Sequence, residues 1–174
     1  MSGSVSARIL NGTSGLDAYL AGTRWENTQG NSMIQHEDKI VVRSSFSRIV
    51  ADSSTFGLAF YTRLFERAPD IRPLFEDDIT QQAAKLVSML GLIVGSLDHM
   101  GHLAPVLVSL GRSHDAYGAK PEHYDMLVEA FADTLNDQFG FDATSAESTA
   151  WRNVLGTVGR IMSDVVPDSE TQRR

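Results

Sequence analysis

His114 ends a run of apolar residues that recur at the spacing of one helix face. Leu110 lies one turn before it and Tyr117 one turn after it, so the three side chains are expected to face the same way. A neutral imidazole among apolar residues is what an axial ligand of haem iron needs, because the apolar wall keeps water away from the metal. A core or surface histidine with an ordinary hydrogen-bond partner is the competing interpretation.

Three further side chains could line a pocket opposite this histidine. Gln82 and Leu86 are four residues apart and therefore stack on one helix face, offering a neutral hydrogen-bond donor and a bulky apolar group. Tyr61 lies in the middle of an apolar helical stripe, where its hydroxyl would be buried and would need a partner, which a polar gas ligand could be. The simpler interpretations are a solvent-exposed Gln82, a core role for Leu86 and Phe75, and a Tyr61 hydroxyl bonded to a backbone carbonyl.

The remaining histidines are weaker candidates for a metal site. His99 and His102 are three residues apart and could share a metal ion, but they flank Gly101 between two predicted helices and are expected to be exposed. His36 and His123 have no predicted partner, and His123 is expected to be exposed at a helix start. The chain contains no cysteine, which excludes disulfides, thiolate metal sites, iron–sulfur clusters and thioether attachment of a haem.

Composition narrows the class of protein. A chain of 174 residues with 42% hydrophobic residues can form one domain around one core. Its net charge of -7 argues against a nucleic-acid-binding surface. No apolar run reaches the roughly 18 residues that span a bilayer, and the N-terminus lacks the pattern of a secretory signal. We therefore expect a cytoplasmic protein that binds neither nucleic acid nor a membrane.

The elements that must position these side chains are helices. Apolar residues recur at helical spacing through most of the chain, and no alternating strand pattern is present. Pro69 and Pro73 predict a short tight helix or turns, Gly118 predicts the end of the His114 helix, and Pro121 predicts the start of the next. Helix caps are predicted at Asp52 to Ser54, at Asp77 and Asp78, and at Thr144 with Glu147 as a capping box. The fold class is therefore all-α.

The predicted domain covers residues 37–167. Residues 1–36 are rich in Ser, Gly, Asn and Thr, and they are expected to form an extension that is flexible or loosely docked. Residues 168–174 are expected to form a polar tail.

Three segments carry a resemblance to a known family. They are FYTRLFERAPDIRPLF at residues 60–75, QQAAKLVSMLGLIVGSLD at residues 81–98 and LGRSHDAYGAKPEHY at residues 110–124. Together they resemble bacterial single-domain globins, which are similar to the globin domain of flavohaemoglobins, from about residue 40 to residue 165. The resemblance implies a globin fold, with helices A, B, C, E, F, G and H around a pocket for non-covalent haem b.

The resemblance also implies roles for individual residues. His114 matches the proximal iron ligand, while Tyr61 and Gln82 match the distal pair that holds the gas ligand. Tyr124 matches a tyrosine that orients the proximal histidine, and Phe75 matches a phenylalanine that packs on the haem. The residues predicted to line the haem pocket are Phe75, Leu86, Leu110, Tyr117, Tyr124 and Leu127.

The chain departs from the flavohaemoglobin pattern in its last helix. Members of that group carry a glutamate that pairs with the proximal histidine, and the corresponding position falls near Val166. The nearest acids, Asp164 and Asp168, are shorter and differently phased. Because a charged partner would favour oxygen activation, its absence predicts weak dioxygenase or peroxidase activity.

The resemblance implies reversible binding of O2, NO and CO, for oxygen transport or nitric oxide scavenging. The alternatives are a gas-sensing haem domain and a nitric oxide dioxygenase served by a separate reductase. A homodimer is also compatible with the sequence.

Overall fold

The computed structural model describes residues 34–164, which are almost wholly helical and contain no strand. The helices in chain order are α1 (His36–Ala51), α2 (Ser53–Arg67), a 3-10 helix (Pro69–Leu74), α3 (Thr80–Gly95), α4 (Met100–Ala116), α5 (Pro121–Phe139) and α6 (Ala146–Ser163). The predicted all-α class is confirmed. The predicted extension lies outside the described residues except for residues 34–36, and the predicted tail lies wholly outside them.

Most helix ends follow the local sequence. The Asp52 carboxylate accepts a hydrogen bond from the Thr55 amide at the start of α2, and Pro121 is the first residue of α5. The predicted cap of α6 at Thr144 was wrong. Ser145 is the N-cap, and its hydroxyl accepts from the Ser148 amide, whereas the Thr144 hydroxyl donates to Asp142.

The helices pack around a core that is rich in aromatic rings. Phe131 of α5 lies between Phe56 of α2 and Trp151 of α6, with ring centroids 5.3 and 4.8 Å away. The Trp151 indole also donates a hydrogen bond of 2.9 Å to the buried Ser45 hydroxyl of α1, so its one polar atom is satisfied. These contacts join four of the six α-helices formed by residues 34–164 at one centre.

The helices form two walls. Helix α3 packs on α2 and α1, and these three helices form the first wall. Helix α4 packs on α6, and these two helices form the second wall. Although α3 and α4 are consecutive, they make little direct backbone contact with each other, and a groove of about 410 Å³ lies between them. None of the helices within residues 34–164 is both long enough and apolar enough to cross a membrane.

Candidate functional site

His114 lies in the last turn of α4 and is half-buried. Its Nδ1 is 2.8 Å from the backbone carbonyl oxygen of Leu110. Because a carbonyl oxygen only accepts hydrogen bonds, Nδ1 must carry the proton and donate it. The Nε2 atom of the neutral ring then keeps its lone pair, which is the state that a metal-ligating histidine requires.

The end of α4 holds His114 in place. Gly118 adopts a positive φ of 93°, the left-handed conformation that glycine tolerates and that stops a helix. The Ala119 amide donates a hydrogen bond of 2.9 Å to the His114 carbonyl, which satisfies an acceptor left free at the helix end. The predicted end at Gly118 is therefore confirmed, and the histidine backbone is capped.

Two glycines allow α4 and α5 to pack closely on α6. A Cβ atom at Gly111 would overlap with the Met162 carbonyl oxygen of α6, so α4 rests directly on the α6 backbone. A Cβ atom at Gly159 would lie 3.3 Å from the Cβ of Tyr124, so α5 also packs closely on α6, although less tightly than α4 does. The position of the histidine therefore depends on residues that have no side chain.

Tyr124 lies beside His114, as expected. Their ring centroids are 6.3 Å apart, with an angle of 35° between the planes. Burial raises the pKa of the Tyr124 phenol, and the nearby Asp115 carboxylate raises it further. The phenol is therefore protonated at neutral pH and bears no charge next to the imidazole.

The opposite wall brings Tyr61 and Gln82 together. Tyr61 on α2 is only 5% exposed, and burial raises the pKa of its phenol to about 12, while a hydrogen bond with the Gln82 side chain acts in the opposite direction. Gln82 is half-buried near the start of α3. Two side chains that are 21 residues apart in the sequence thus form one polar pair inside an apolar wall.

An aromatic cluster supports Tyr61. Its ring lies 5.5 Å from Phe75 and 5.8 Å from Phe65, and the last two rings are 5.2 Å apart. The Arg72 guanidinium covers the Phe65 ring at 5.0 Å and donates hydrogen bonds of 3.1 Å to the carbonyls of Phe75 and Glu76. The turn that carries Phe75 is therefore fixed at the same end of the pocket as Tyr61.

The other predicted lining residues differ in their surroundings. Leu86, Leu110 and Leu127 are half-buried and pack against the core, so each keeps part of its apolar surface free. Tyr117 departs from the expectation that it faces the same way as His114. It caps the C-terminal end of α4 and is 74% exposed.

The groove between α3 and α4 borders residues that precede His114 along α4. It is lined by Met89 on α3 and, on α4, by Pro105, Val106, Ser109, Leu110 and Ser113. Leu110 is also the residue whose carbonyl accepts the His114 hydrogen bond. The lining includes neither His114 nor Tyr61 and Gln82, so the groove does not coincide with the space between the candidate ligand and the polar pair.

Among the residues that the structure describes, no group of three or more His, Cys, Asp or Glu side chains could hold a metal ion. His99 and His102 are exposed and stack with ring centroids 5.7 Å apart, without a third ligand. A metal at this site would therefore depend mainly on His114 and on a prosthetic group with donor atoms of its own. A haem fits this donor set, because it needs one imidazole from the protein and apolar surroundings.

His123 has partners that the sequence did not predict. Its Nδ1 accepts a hydrogen bond of 3.1 Å from the Lys120 amide, and its Nε2 lies 3.5 Å from the Asp70 carboxylate of the 3-10 helix. The expected exposed position was wrong, since only 11% of the side chain is accessible. The His123 contact joins the start of α5 to the segment that carries Phe75.

Of the two acids near the position of the flavohaemoglobin glutamate, only Asp164 is among the described residues. Asp164 ends α6 as its C-cap and is exposed. Val166 and Asp168 lie outside the described residues.

Comparison with known proteins gives one family match. Residues 58–162 match the globin family. A neuroglobin from Tetraodon nigroviridis is 26% identical over 144 residues, which cover 75% of this chain and 91% of that protein. A flavohemoprotein from Bacillus subtilis is 21% identical over 143 residues, which cover 80% of this chain but only 36% of that longer protein.

Solved structures agree with the sequence match. A bacterial globin from Campylobacter jejuni superposes with a TM-score of 0.67 at 16% identity, over 75% of this chain and 95% of that one. An engineered carbene transferase, made from a proposed nitric oxide dioxygenase of Rhodothermus marinus, also gives 0.67, at 26% identity over 75% and 92% of the two chains. The fold implied by the three sequence segments is confirmed.

Proposed function

Because this chain belongs to the globin family, we propose that it binds haem b through His114 and a diatomic gas on the opposite face, next to Tyr61 and Gln82. The observation that carries the proposal is the 2.8 Å hydrogen bond from the His114 Nδ1–H to the Leu110 carbonyl. This bond selects the tautomer with a free Nε2 and orients the ring. It distinguishes His114 from a core histidine whose two nitrogens are both engaged.

When bound, haem supplies an iron atom with one coordination position for a protein ligand and one for a gas molecule. The chain supplies the walls. Leu110 and Leu127 on one side, and Phe75 and Leu86 on the other, offer apolar surface that would cover a porphyrin and exclude water. With no cysteine in the chain, the haem would be held without a covalent thioether link.

Tyr61 and Gln82 would select the gas. Because the pKa of Tyr61 is about 12, its phenol keeps its proton at physiological pH and acts as a hydrogen-bond donor. The Gln82 amide adds a second neutral donor beside it. A ligand that carries partial negative charge, such as O2 in a ferrous globin, would gain more from these donors than CO would.

Haem titration of the purified protein tests the proposal. Uptake should stop at one haem per chain, and the reduced protein should show reversible spectral changes with both O2 and CO. Uptake that never saturates would indicate non-specific adsorption and would contradict the proposal. Failure of both gases to change the spectrum would mean that protein groups fill both axial positions.

A second candidate function is nitric oxide consumption with a separate reductase. It is favoured by the 26% identity to the engineered form of a proposed nitric oxide dioxygenase. Sustained conversion of nitric oxide and O2 to nitrate, with electrons from a generic flavin or ferredoxin reductase, would support this function. Because this activity needs an external reductant after each turnover, we expect one rapid turnover and then slow cycling.

A further inference from the structure

We infer that His123 is a positioning residue that ties the start of α5, beside His114, to the 3-10 helix that leads to Phe75. The consequence for haem binding rests on the proposed function. The connection itself rests on the described structure alone.

Both ring nitrogens of His123 face a partner. Nδ1 accepts a hydrogen bond of 3.1 Å from the Lys120 amide. A neutral imidazole carries one proton, so the proton of this ring lies on Nε2. Nε2 lies 3.5 Å from a carboxylate oxygen of Asp70, which is an acceptor. His123 thus holds the opposite tautomer to His114 and leaves no nitrogen for a metal, so it acts as a connector.

Burial makes the imidazole depend on these two partners. Only 11% of the His123 side chain is accessible, compared with 66% of the Asp70 side chain. A polar group that is shielded from water loses free energy when its hydrogen-bond partner is removed. The Asp70 carboxylate can therefore be removed at little cost to itself, whereas the Nε2–H of His123 loses its acceptor.

At the α5 end, the connection lies next to the candidate iron ligand. His123 immediately precedes Tyr124, and the ring centroids of Tyr124 and His114 are 6.3 Å apart. The Lys120 amide belongs to the N-cap of α5, so its hydrogen bond fixes the imidazole to the first turn of that helix. The group that faces Asp70 is therefore held on the turn that carries Tyr124.

At the other end, a short hydrogen-bonded segment leads from Asp70 to Phe75. Asp70 lies in the 3-10 helix Pro69–Leu74. The Phe75 amide donates a hydrogen bond of 3.2 Å to the Arg72 carbonyl, and the Arg72 guanidinium donates one of 3.1 Å to the Phe75 carbonyl. The Phe75 ring lies 5.5 Å from that of Tyr61. We therefore expect a displacement of Asp70 to move Phe75 as well.

A second contact between the same segments is apolar. A Cβ atom at Gly118, where α4 ends, would lie 3.7 Å from Cδ2 of Leu74, the residue before Phe75. Apolar contacts have no preferred direction, so this contact allows the two segments to slide. The contact between His123 and Asp70 is directional and fixes their relative position.

The test separates the two ring nitrogens. His123→Asn places an amide oxygen near the position of Nδ1, so it can still accept from Lys120 but cannot reach Asp70. His123→Gln places an amide N–H near the position of Nε2 and can still donate to Asp70. Asp70→Ala removes the acceptor, and Asp125→Ala is the matched control because it removes an exposed carboxylate from α5.

Two readouts are needed. The first is NMR of the full chain as purified: the imidazole ¹⁵N signals of His123 and the ring signal of Phe75 in protein with labelled histidine and phenylalanine. His123→Asn and Phe75→Leu assign these signals. The second readout is the rate at which the haem-loaded chain gives up haem to an acceptor protein.

Wild-type His123 should show a proton on Nε2. His123→Asn and Asp70→Ala should each shift the Phe75 signal and raise the rate of haem loss about twofold to tenfold, the effect of one hydrogen bond. The two changes combined should add nothing further, because they remove the same contact. His123→Gln should keep the signal and rate near those of the wild type, and Asp125→Ala should change neither.

Three results would overturn the inference: a proton on Nδ1 of wild-type His123, a Phe75 signal that Asp70→Ala leaves unchanged, or additive effects in the combined variant. If His123→Asn does not fold, Asp70→Ala still decides, because it alters a largely accessible side chain.

The two proposals can fail separately. If the wild-type protein takes up no haem, the proposed function fails, but the NMR signals of His123 and Phe75 still test the positioning role. If haem binds as proposed while the Phe75 signal is the same in Asp70→Ala and in the wild type, only the positioning role fails.

Discussion

At the scale of single residues, the pocket depends on which atoms carry protons. The Leu110 carbonyl fixes the proton of His114 on Nδ1, and burial keeps the proton on the Tyr61 phenol. One wall thus presents a lone pair and the other presents a donor, which is the polarity that iron and a polar gas require. The sequence could identify both residues from their place in apolar stripes, but not their protonation, which depends on side-chain orientation and burial.

Replacing Tyr61 by phenylalanine removes the donor and keeps the ring. We expect the O2 dissociation rate to rise by about tenfold to a hundredfold, because a hydrogen bond to a partly charged acceptor is worth about 1.5–3 kcal/mol. CO should respond less, since it is less polar when bound. Stopped-flow ligand displacement measures both rates, and Tyr117→Phe is the matched control because Tyr117 is 74% exposed. Equal changes for both gases would indicate a steric role for Tyr61.

The raised pKa of Tyr61 predicts a loss of stability at alkaline pH. Folding raises this pKa from the ordinary 10.0 to about 12, so the folded protein holds a proton that the unfolded chain releases. The resulting stabilisation is complete below pH 10 and is lost as the pH rises towards 12. Between these values haem-free wild type should lose about 2 kcal/mol more unfolding free energy than Tyr61→Phe, as measured by urea titration. Parallel curves for the two proteins would show that the phenol is not buried.

At the scale of helices, the ends of single helices depend on the local sequence, whereas the contacts between helices depend on the tertiary structure. Gly118 could be recognised as the end of one helix and Pro121 as the start of the next, because their backbone preferences act locally. The cap of α6 was misplaced by one residue, since Thr144 and Ser145 are both competent caps and Asp142 engages the first. The close crossing at Gly111 could not be predicted, because it depends on which helix this glycine meets.

Gly111→Ala should disturb the wall that carries His114. The added methyl group would overlap with the Met162 carbonyl oxygen, so α4 must move away from α6. Overpacking of this kind costs about 1–3 kcal/mol, and we expect a lower unfolding midpoint in urea together with faster loss of haem to an acceptor protein. Gly156→Ala on α6 is the control, since a Cβ atom there meets nothing within 4 Å. Similar behaviour of the two variants would contradict the close packing of α4 on α6.

At the scale of the whole molecule, the two walls are held by packing more than by charge. Exposed ion pairs join α2 to α5, from Arg63 to Asp137 and from Arg67 to Asp133, but pairs of this kind contribute about 0–1 kcal/mol each. The buried residues around Trp151 instead remove a large apolar surface from water, at about 25 cal/mol per Å². The spacing of apolar residues was sufficient to predict the all-α class, whereas the globin fold was predicted from the resemblance of the three sequence segments to a known family. They did not reveal the contact between His123 and Asp70, which depends on the tertiary arrangement of α5 and the 3-10 helix.

The central claim, that His114 is the axial ligand of a haem, is tested most directly by the ferrous absorption spectrum of His114→Ala. His102→Ala is the matched control, since His102 is an exposed histidine on the same helix. The account predicts that His114→Ala loses haem, or retains it with an altered spectrum that added imidazole restores, while His102→Ala keeps the wild-type spectrum. A ferrous spectrum of His114→Ala identical to that of the wild type would contradict the account.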